Sequence, residues 1–149
     1  MNKTRILLAD DHVLVADALK IMLEPLYDVV GIAGDGRALL HLAETLKPDL
    51  IVVDIGMPRL NGLDAAKQIG RLLPRVKIIV LTMNEDSDLV AEAFRVGASG
   101  YLLKHSAANE LLLAIQEVLK GASYLSPRIT SGCSVERAVQ PCMERHRFV

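Results

Sequence analysis

Five side chains in this sequence are of the types that together handle a charged oxyanion: the adjacent pair Asp10-Asp11, then Asp54, Thr82 and Lys104. They stand just after short aliphatic runs, at residues 6–9, 50–53, 78–81 and 101–103. Runs this short, rich in Ile, Val and Leu and separated by helical patterns, read as buried parallel strands. In an open parallel sheet the carboxyl ends of the strands share one edge, and ligands bind there. The spacing therefore predicts that residues from position 10 to position 104 converge on one pocket holding three carboxylates, a hydroxyl and an ammonium.

Such a pocket has a definite chemistry. Two carboxylates 4 Å apart repel by about 4 kcal/mol at an effective dielectric of 20, so three need a cation. A hard divalent ion with oxygen ligands answers that need, and Mg2+ combines one or two carboxylates with phosphate while keeping waters. Asp54, on the third and central strand, is the best-placed nucleophile, and a carboxylate that attacks phosphorus gives an aspartyl-phosphate. Lys104 supplies a second positive charge and Thr82 one directed hydrogen bond. Taken singly, each residue has a plainer reading: Asp10 as a helix N-cap, Thr82 as a strand former, Lys104 as solvated surface. Capping alone, however, does not call for a lysine after the fifth strand. The joint pattern reads as a magnesium-dependent phosphoryl-accepting site.

The elements that must position these groups alternate strand and helix five times. Helical sets at i, i+3, i+4, i+7 spacing follow each strand: Val15, Ala18, Leu19 and Met22; Leu39, Leu42, Ala43 and Leu46; Ala66, Ile69, Gly70 and Leu73; Val90, Ala93, Phe94 and Gly97; Leu111, Ala114, Ile115 and Val118. Each set is an apolar face able to cover a sheet. Regular βα alternation implies a doubly wound α/β fold, a five-stranded parallel sheet with helices on both faces. Pro25, Pro48 and Pro74 fall where the first three helices must stop. Asn61, three residues before Asp64, is placed to cap the third helix. Beyond Lys120 the periodicity ends. Residues 1–122 are expected to form the folded domain, and 123–149 a weakly ordered linker and tail, with one short helical turn around Val135–Val139 at most.

Composition narrows the classes. The 149 residues are 51% hydrophobic and 23% charged, enough apolar material to build a core without metal or disulfide staples. With aromatics at 3% the core must be aliphatic. A formal net charge of −1 gives no electrostatic reason to expect nucleic-acid binding. Cys133 and Cys142 lack ligand spacing and read as free thiols of a reducing compartment. No apolar run approaches the length of a membrane span, and the N-terminus is too short before its first strand for a signal peptide. The expected location is cytoplasmic. Arg71, Arg75 and Lys77 read as a solvated edge and His41 as surface; His12 invites a phosphohistidine or metal reading, but reads in preference as the residue that opens the first helix at the pocket rim.

At these residues the chain resembles the receiver domain of bacterial two-component response regulators. The matching motifs are Leu-Leu-Ala-Asp10-Asp11-His, Val-Val-Asp54-Ile-Gly-Met57-Pro58-Arg-Leu-Asn61-Gly62, Val-Leu-Thr82-Met, and Gly97-Ala-Ser-Gly100-Tyr101-Leu-Leu-Lys104. The resemblance covers about residues 4–120 and implies a flavodoxin-like fold with strand order 2-1-3-4-5. It further implies that Asp54 accepts a phosphoryl group from a partner sensor histidine kinase. Asp11 and Asp54 then ligate Mg2+ directly, the Gly56 carbonyl is a third protein ligand, Asp10 acts through water, and Lys104 pairs with a phosphoryl oxygen. Thr82 and Tyr101 match the family's switch pair: the hydroxyl turns toward the phosphoryl group and the ring rotates inward. The plainer reading of Tyr101 is a half-exposed strand aromatic. The surface expected to respond is helix four (about 86–96), strand five and helix five, also the face for a homodimer. Such a module is not an enzyme beyond its own phosphorylation and dephosphorylation.

Two departures bear on the site. His105 follows Lys104 where many receivers have proline, so Lys104 must be held without a cis Lys-Pro bond. Met83 follows Thr82 where a small residue is frequent, which would narrow access. Gly56 and Asn84 hold flanking positions that tend to influence phosphoryl lifetime in the family. Thr-Met, and lysine without proline, resemble the NarL/FixJ (LuxR-type) subfamily. Tyr124-Leu-Ser-Pro-Arg-Ile-Thr-Ser131-Gly looks like that subfamily's linker to a helix-turn-helix domain. Residues 133–149 are too few for the helix-turn-helix module that fills a major groove. Specific DNA binding is not expected from this chain, which reads as a stand-alone receiver or as a transcription regulator lacking its output domain. Two alternatives stay open: a regulator whose short tail contacts DNA, and a small Mg2+-dependent phosphatase.

Overall fold

Alternation along each central strand decides the architecture. In the computed structural model, which describes residues 3–57, 61–83 and 87–127, the strands are β1 (Arg5–Ala9), β2 (Asp28–Ala33), β3 (Leu50–Asp54), β4 (Lys77–Thr82), β5 (Gly100–Leu103) and β6 (Tyr124–Leu125). Between them run α1 (Val13–Leu23), α2 (Gly36–Leu46), α3 (Gly62–Leu72), α4 (Ser87–Arg95) and α5 (Ala107–Leu119). Leu7, Ala9, Ile51, Val53, Ile78, Val80, Tyr101 and Leu103 share one cluster with Leu39, Ile69, Val90 and Phe94 of α2, α3 and α4. Ile6, Leu8, Leu50, Val52, Ile79, Leu81 and Leu102 face the other way, onto Leu19, Leu23, Leu111, Ile115 and Val118 of α1 and α5. Both faces of the sheet are thus covered, which is why its strands are uniformly apolar rather than alternating with polar residues. Full burial of each Leu, Ile or Val contributes about 1.5–3 kcal/mol.

The described pairings are all parallel and the sheet order is β2-β1-β3-β4-β5-β6. The expected doubly wound order is present, with one addition. Tyr124–Leu125 form a sixth strand in a segment that reads as linker, pairing Gly100 with Tyr124 and Tyr101 with Leu125. The physical reason is the outer edge of β5, whose backbone groups need partners: the Tyr124 N–H donates to Ser99 O at 2.9 Å and the Ser126 N–H to Tyr101 O at 3.0 Å. Two residues carry too little pattern to register as a strand. Residues 128–149 lie outside the described residues, and with them the expected weakly ordered tail, the turn around Val135 and both cysteines.

Local punctuation follows the chemistry of the residues. Asp35 caps α2, accepting from Ala38 N–H at 2.8 Å, and Asn61 caps α3, accepting from Asp64 N–H at 2.9 Å. Pro25, Pro48 and Pro74 lie just past the ends of α1, α2 and α3. Helix α4 ends a residue inside its expected span. Gly97 is not on its apolar face but beyond its end at φ +108°, with its N–H on Phe94 O, a left-handed position that favours glycine after a helix.

The sixth strand is also held from α5. Glu110 accepts from the Tyr124 hydroxyl at 2.9 Å and from the Ser126 hydroxyl at 3.1 Å. Burial first, then the hydrogen bond and negative charge of Glu110, pushes the Tyr124 phenol up to about 12 from an ordinary 10.0. A phenol raised in the fold loses its proton first in the unfolded chain. Its stabilisation is therefore complete below pH 10 and is lost as pH climbs through about 12. Ultraviolet titration of the wild type against Tyr124→Phe should place this phenol near 12, and Glu110→Gln should bring it down. A Tyr124 that titrates at its ordinary value would contradict the clamp.

Candidate functional site

The carboxyl ends of β1, β3, β4 and β5 lie side by side, so the residues that follow them are neighbours despite their separation in sequence. Asp10 follows β1; its N–H donates to Ala33 O at 2.9 Å, and its Oδ1 accepts the His12 N–H at 2.8 Å, a local turn that launches α1. Asp54 is the last residue of β3, in register with Leu81. The Gly56 N–H donates to its Oδ1 at 3.1 Å, folding the β3–α3 loop back over the carboxylate. Thr82 closes β4 opposite Leu103 and is buried. Asp10 and Asp54 are each 4% exposed, against the strong general preference of aspartate for water.

Lys104 joins the set. Its side chain is 7% exposed, and its Nζ lies 3.1 Å from Asp10 Oδ1 and 3.0 Å from Asp54 Oδ2. Burial alone would pull this ammonium down, but the hydrogen bonds and charges of Asp54 and Asp10 outweigh it and hold the group above its ordinary value. No cis peptide bond is present among the described residues. In place of a proline the chain makes a single 3-10 turn, Lys104–Ser106, with the Ala107 N–H on Lys104 O. Met83, expected to crowd the site, is 71% exposed.

Tyr101 is fully buried, in register with Val80 and packed in the cluster of Val90, Phe94 and Leu125. The half-exposed alternative is excluded, because β6 and α4 cover that end of β5. Asn84 and the first residue of the expected fourth helix lie outside the described residues, as do Pro58, Arg59 and Leu60 of the loop motif.

The sequence reading sets one participant aside as a helix opener. His12 does open α1, as expected, but its Nδ1 also lies 3.1 Å from Asp10 Oδ1, 3.3 Å from Asp11 Oδ1 and 2.7 Å from Lys104 Nζ. The only signal for it was adjacency to the aspartate pair at a strand end. One ligand atom from each of Asp10, Asp11, His12 and Asp54 falls within 4.8 Å of all the others. A hard cation fits this set: three carboxylates dominate it, and Asp10 Oδ2 is buried without a hydrogen-bond partner, a condition that destabilises unless something positive meets it.

The comparisons agree with the geometry. Residues 6–116 match the family model described as "Response regulator receiver domain". The chain is 37% identical over 131 residues to the transcriptional regulatory protein DegU of Brevibacillus brevis, covering 87% of this chain and 56% of that protein. It therefore spans little more than half the length of that relative. A crystal structure of a LuxR-family two-component response regulator from Aurantimonas sp. SI85-9A1 superposes with a TM-score of 0.85 at 34% identity, covering 91% of this chain and 99% of the other. The isolated REC domain of RcsB from Salmonella enterica serovar Typhimurium, solved with the phosphomimetic BeF3-, gives 0.77 at 29% identity, covering 92% and 99%.

Proposed function

This chain belongs to the response regulator receiver domains of two-component systems, and from that premise we propose that Asp54 accepts a phosphoryl group from the phosphohistidine of a sensor histidine kinase. The observation that carries the reading is the buried Lys104 ammonium bridging the carboxylates that follow β1 and end β3. Neither packing nor solubility calls for such a cluster; delivery of a phosphoryl dianion does.

Asp11, Asp54 and the Gly56 carbonyl would hold Mg2+, with Asp10 reached through water. Bound there, the metal supplies charge neutralisation for the transferring oxygens. The remaining work is done by the protein. An Asp54 oxygen forms its bond to phosphorus as the donor's P–N bond breaks, and the Gly56 N–H fixes the carboxylate's orientation. Lys104 exchanges a carboxylate oxygen for a phosphoryl oxygen, which keeps its charge paired throughout. The Thr82 hydroxyl donates to the new group. Tyr101 packs behind it, so the response travels into α4, β5 and α5.

The same reading assigns partners. The start of α1, immediately beside the site, exposes Val13 (71%) and Leu14 (85%), an apolar surface suited to a kinase helix. A homodimer through α4, β5 and α5 would have to include β6, which occupies the edge of β5. The parent protein is read as a cytoplasmic transcription regulator, with DNA binding left to segments other than this domain. Among the described residues no helix is long and apolar enough to cross a membrane.

Incubation with acetyl phosphate and Mg2+ tests the proposal by intact-mass measurement. The purified chain should take up a single phosphoryl group and lose it by its own hydrolysis. Sustained turnover of an external phosphoester such as p-nitrophenyl phosphate, without a covalent adduct, would favour a phosphatase and overturn the reading.

A further inference from the structure

Leu125 stands where the Tyr101 ring would have to pass to leave the interior. Side chains along a strand alternate between faces, and neighbouring strands lie about 4.8 Å apart. Leu125 is in register with Tyr101, and both belong to the cluster on the α4 side of the sheet, with Val90 and Phe94. Tyr124, one residue earlier, packs on the opposite side, against the cluster of α1 and α5. Leu125 therefore lies one strand spacing outward from Tyr101 on the same face. Were β5 the outer strand, the ring would be free to swing past the sheet edge into water. With β6 alongside, that path is closed, and the ring is fully buried. The strand that closes it is firmly tied. The Ser126 N–H donates to Tyr101 O and the Tyr124 N–H to Ser99 O. The Tyr124 and Ser126 hydroxyls both reach Glu110, in the first turn of α5. That turn follows directly on the 3-10 turn begun by Lys104. Residues 124–126 thus join the backbone at Tyr101 to the segment that carries Lys104.

Resting on the proposed function, in which the Thr82 hydroxyl donates to the phosphoryl group and Tyr101 packs behind it, we propose that Leu125 is a positioning residue for phosphoryl acceptance. It holds the Tyr101 ring inside the interface between the sheet and α4. A hydroxyl drawn toward the phosphoryl group leaves space behind it, and a ring already held inward fills that space without first leaving water. The clamp therefore favours the same arrangement that the phosphoryl group favours. Coupling of this kind is reciprocal. A phosphoryl group that draws Thr82 over also favours the inward ring, against which Leu125 packs, and so tightens β6. Phosphorylation at Asp54 is then felt at residue 126, the point from which the chain continues.

Calorimetry of BeF3- binding in the presence of Mg2+, on the full chain, tests the coupling. Leu125→Ala should weaken BeF3- binding at least roughly fivefold, the lower end of ordinary coupling between sites. Its affinity for Mg2+ alone should stay at the wild-type value, because the carboxylates need neither Thr82 nor Tyr101 to hold the ion. Leu125→Met, which keeps the side-chain volume, should restore BeF3- binding. Glu110→Gln, which loosens β6 from outside the core, should weaken it in the same direction. A measurement on the wild type needs no variant: hydrogen exchange at the Tyr124 and Ser126 amides should slow by a similar factor when BeF3- and Mg2+ bind. BeF3- binding in Leu125→Ala as tight as in the wild type, or tighter, would overturn the role of Leu125 and leave the phosphoryl site standing. So would an equal loss of Mg2+ affinity, which marks general damage to the fold, or amides whose exchange ignores BeF3-. A wild type that fails to bind BeF3- with Mg2+, or binding unchanged in Asp54→Asn, would bring down the proposed function and the inference together.

Discussion

Asp54→Asn should abolish phosphorylation by acetyl phosphate while leaving the fold intact. The amide keeps the size of the carboxylate and can still accept the Gly56 N–H, but it is neutral and a poor nucleophile toward phosphorus. It also removes one of the proposed metal ligands. We expect adduct formation to fall at least about a hundredfold, as when the attacking group itself is deleted. Stability should not fall in parallel. Lys104 now divides its charge between Asp10 and Asp54, which are both buried. Removing one carboxylate leaves a matched pair and relieves like-charge repulsion. Intact-mass kinetics together with thermal melts separate the two effects. An adduct still forming at the wild-type rate would show that another residue is the acceptor.

Gly62→Ala should be among the most damaging single substitutions in the domain. A Cβ at Gly62 would lie 2.5 Å from the carbonyl oxygen of Asp54 and 2.8 Å from the Cα of Ile55. Both are backbone atoms, so no side chain can swing aside. The Gly62 N–H donates to Ile55 O at 3.0 Å, pinning the start of α3 against the end of β3. An added methyl group must separate the two or tilt the helix. Overpacking of this kind costs about 3 kcal/mol at the upper end of the usual range. For a domain of this size that corresponds to a fall in Tm of roughly 10 °C. Because the displaced atoms belong to Asp54 and its neighbour, BeF3- binding should weaken as well. A melt within two degrees of wild type, with unchanged BeF3- binding, would contradict this account of the loop. Gly62→Ser should fail in the same way, whereas Gly34→Ala, whose Cβ meets nothing within 4 Å, should be tolerated.

The parts legible in the sequence were those with a period or a fixed terminal residue. The short buried apolar runs and the helical sets between them specify a parallel sheet with right-handed crossovers and helices on both faces, while the strand order follows from the resemblance to receiver domains. Asp10, Asp54 and Lys104 were legible because each sits at a strand end, where topology alone brings them together. The N-cap of α3 was readable from Asn61 and Asp64. What escaped depended on contacts rather than pattern. β6 is two residues long and exists because β5 offers an unpaired edge and Glu110 two acceptor oxygens. Gly97 sat in register with the apolar positions of α4 but terminates the chain reversal instead. The reach of the His12 ring into the carboxylates follows from a side-chain rotamer, for which residue spacing carries no signal. The depth of Tyr101 likewise reflects what α4 and β6 lay over it.

The central claim is that side chains from three strand ends form one site in which a divalent cation and a phosphoryl-like anion bind together. Fluorine NMR of BeF3- added to the protein, with and without Mg2+, tests it most directly. Bound beryllofluoride resonances should emerge only when Mg2+ is present, and should vanish in both Asp54→Asn and Lys104→Ala. Bound signals that form equally well without the metal, or that survive either substitution, would contradict it.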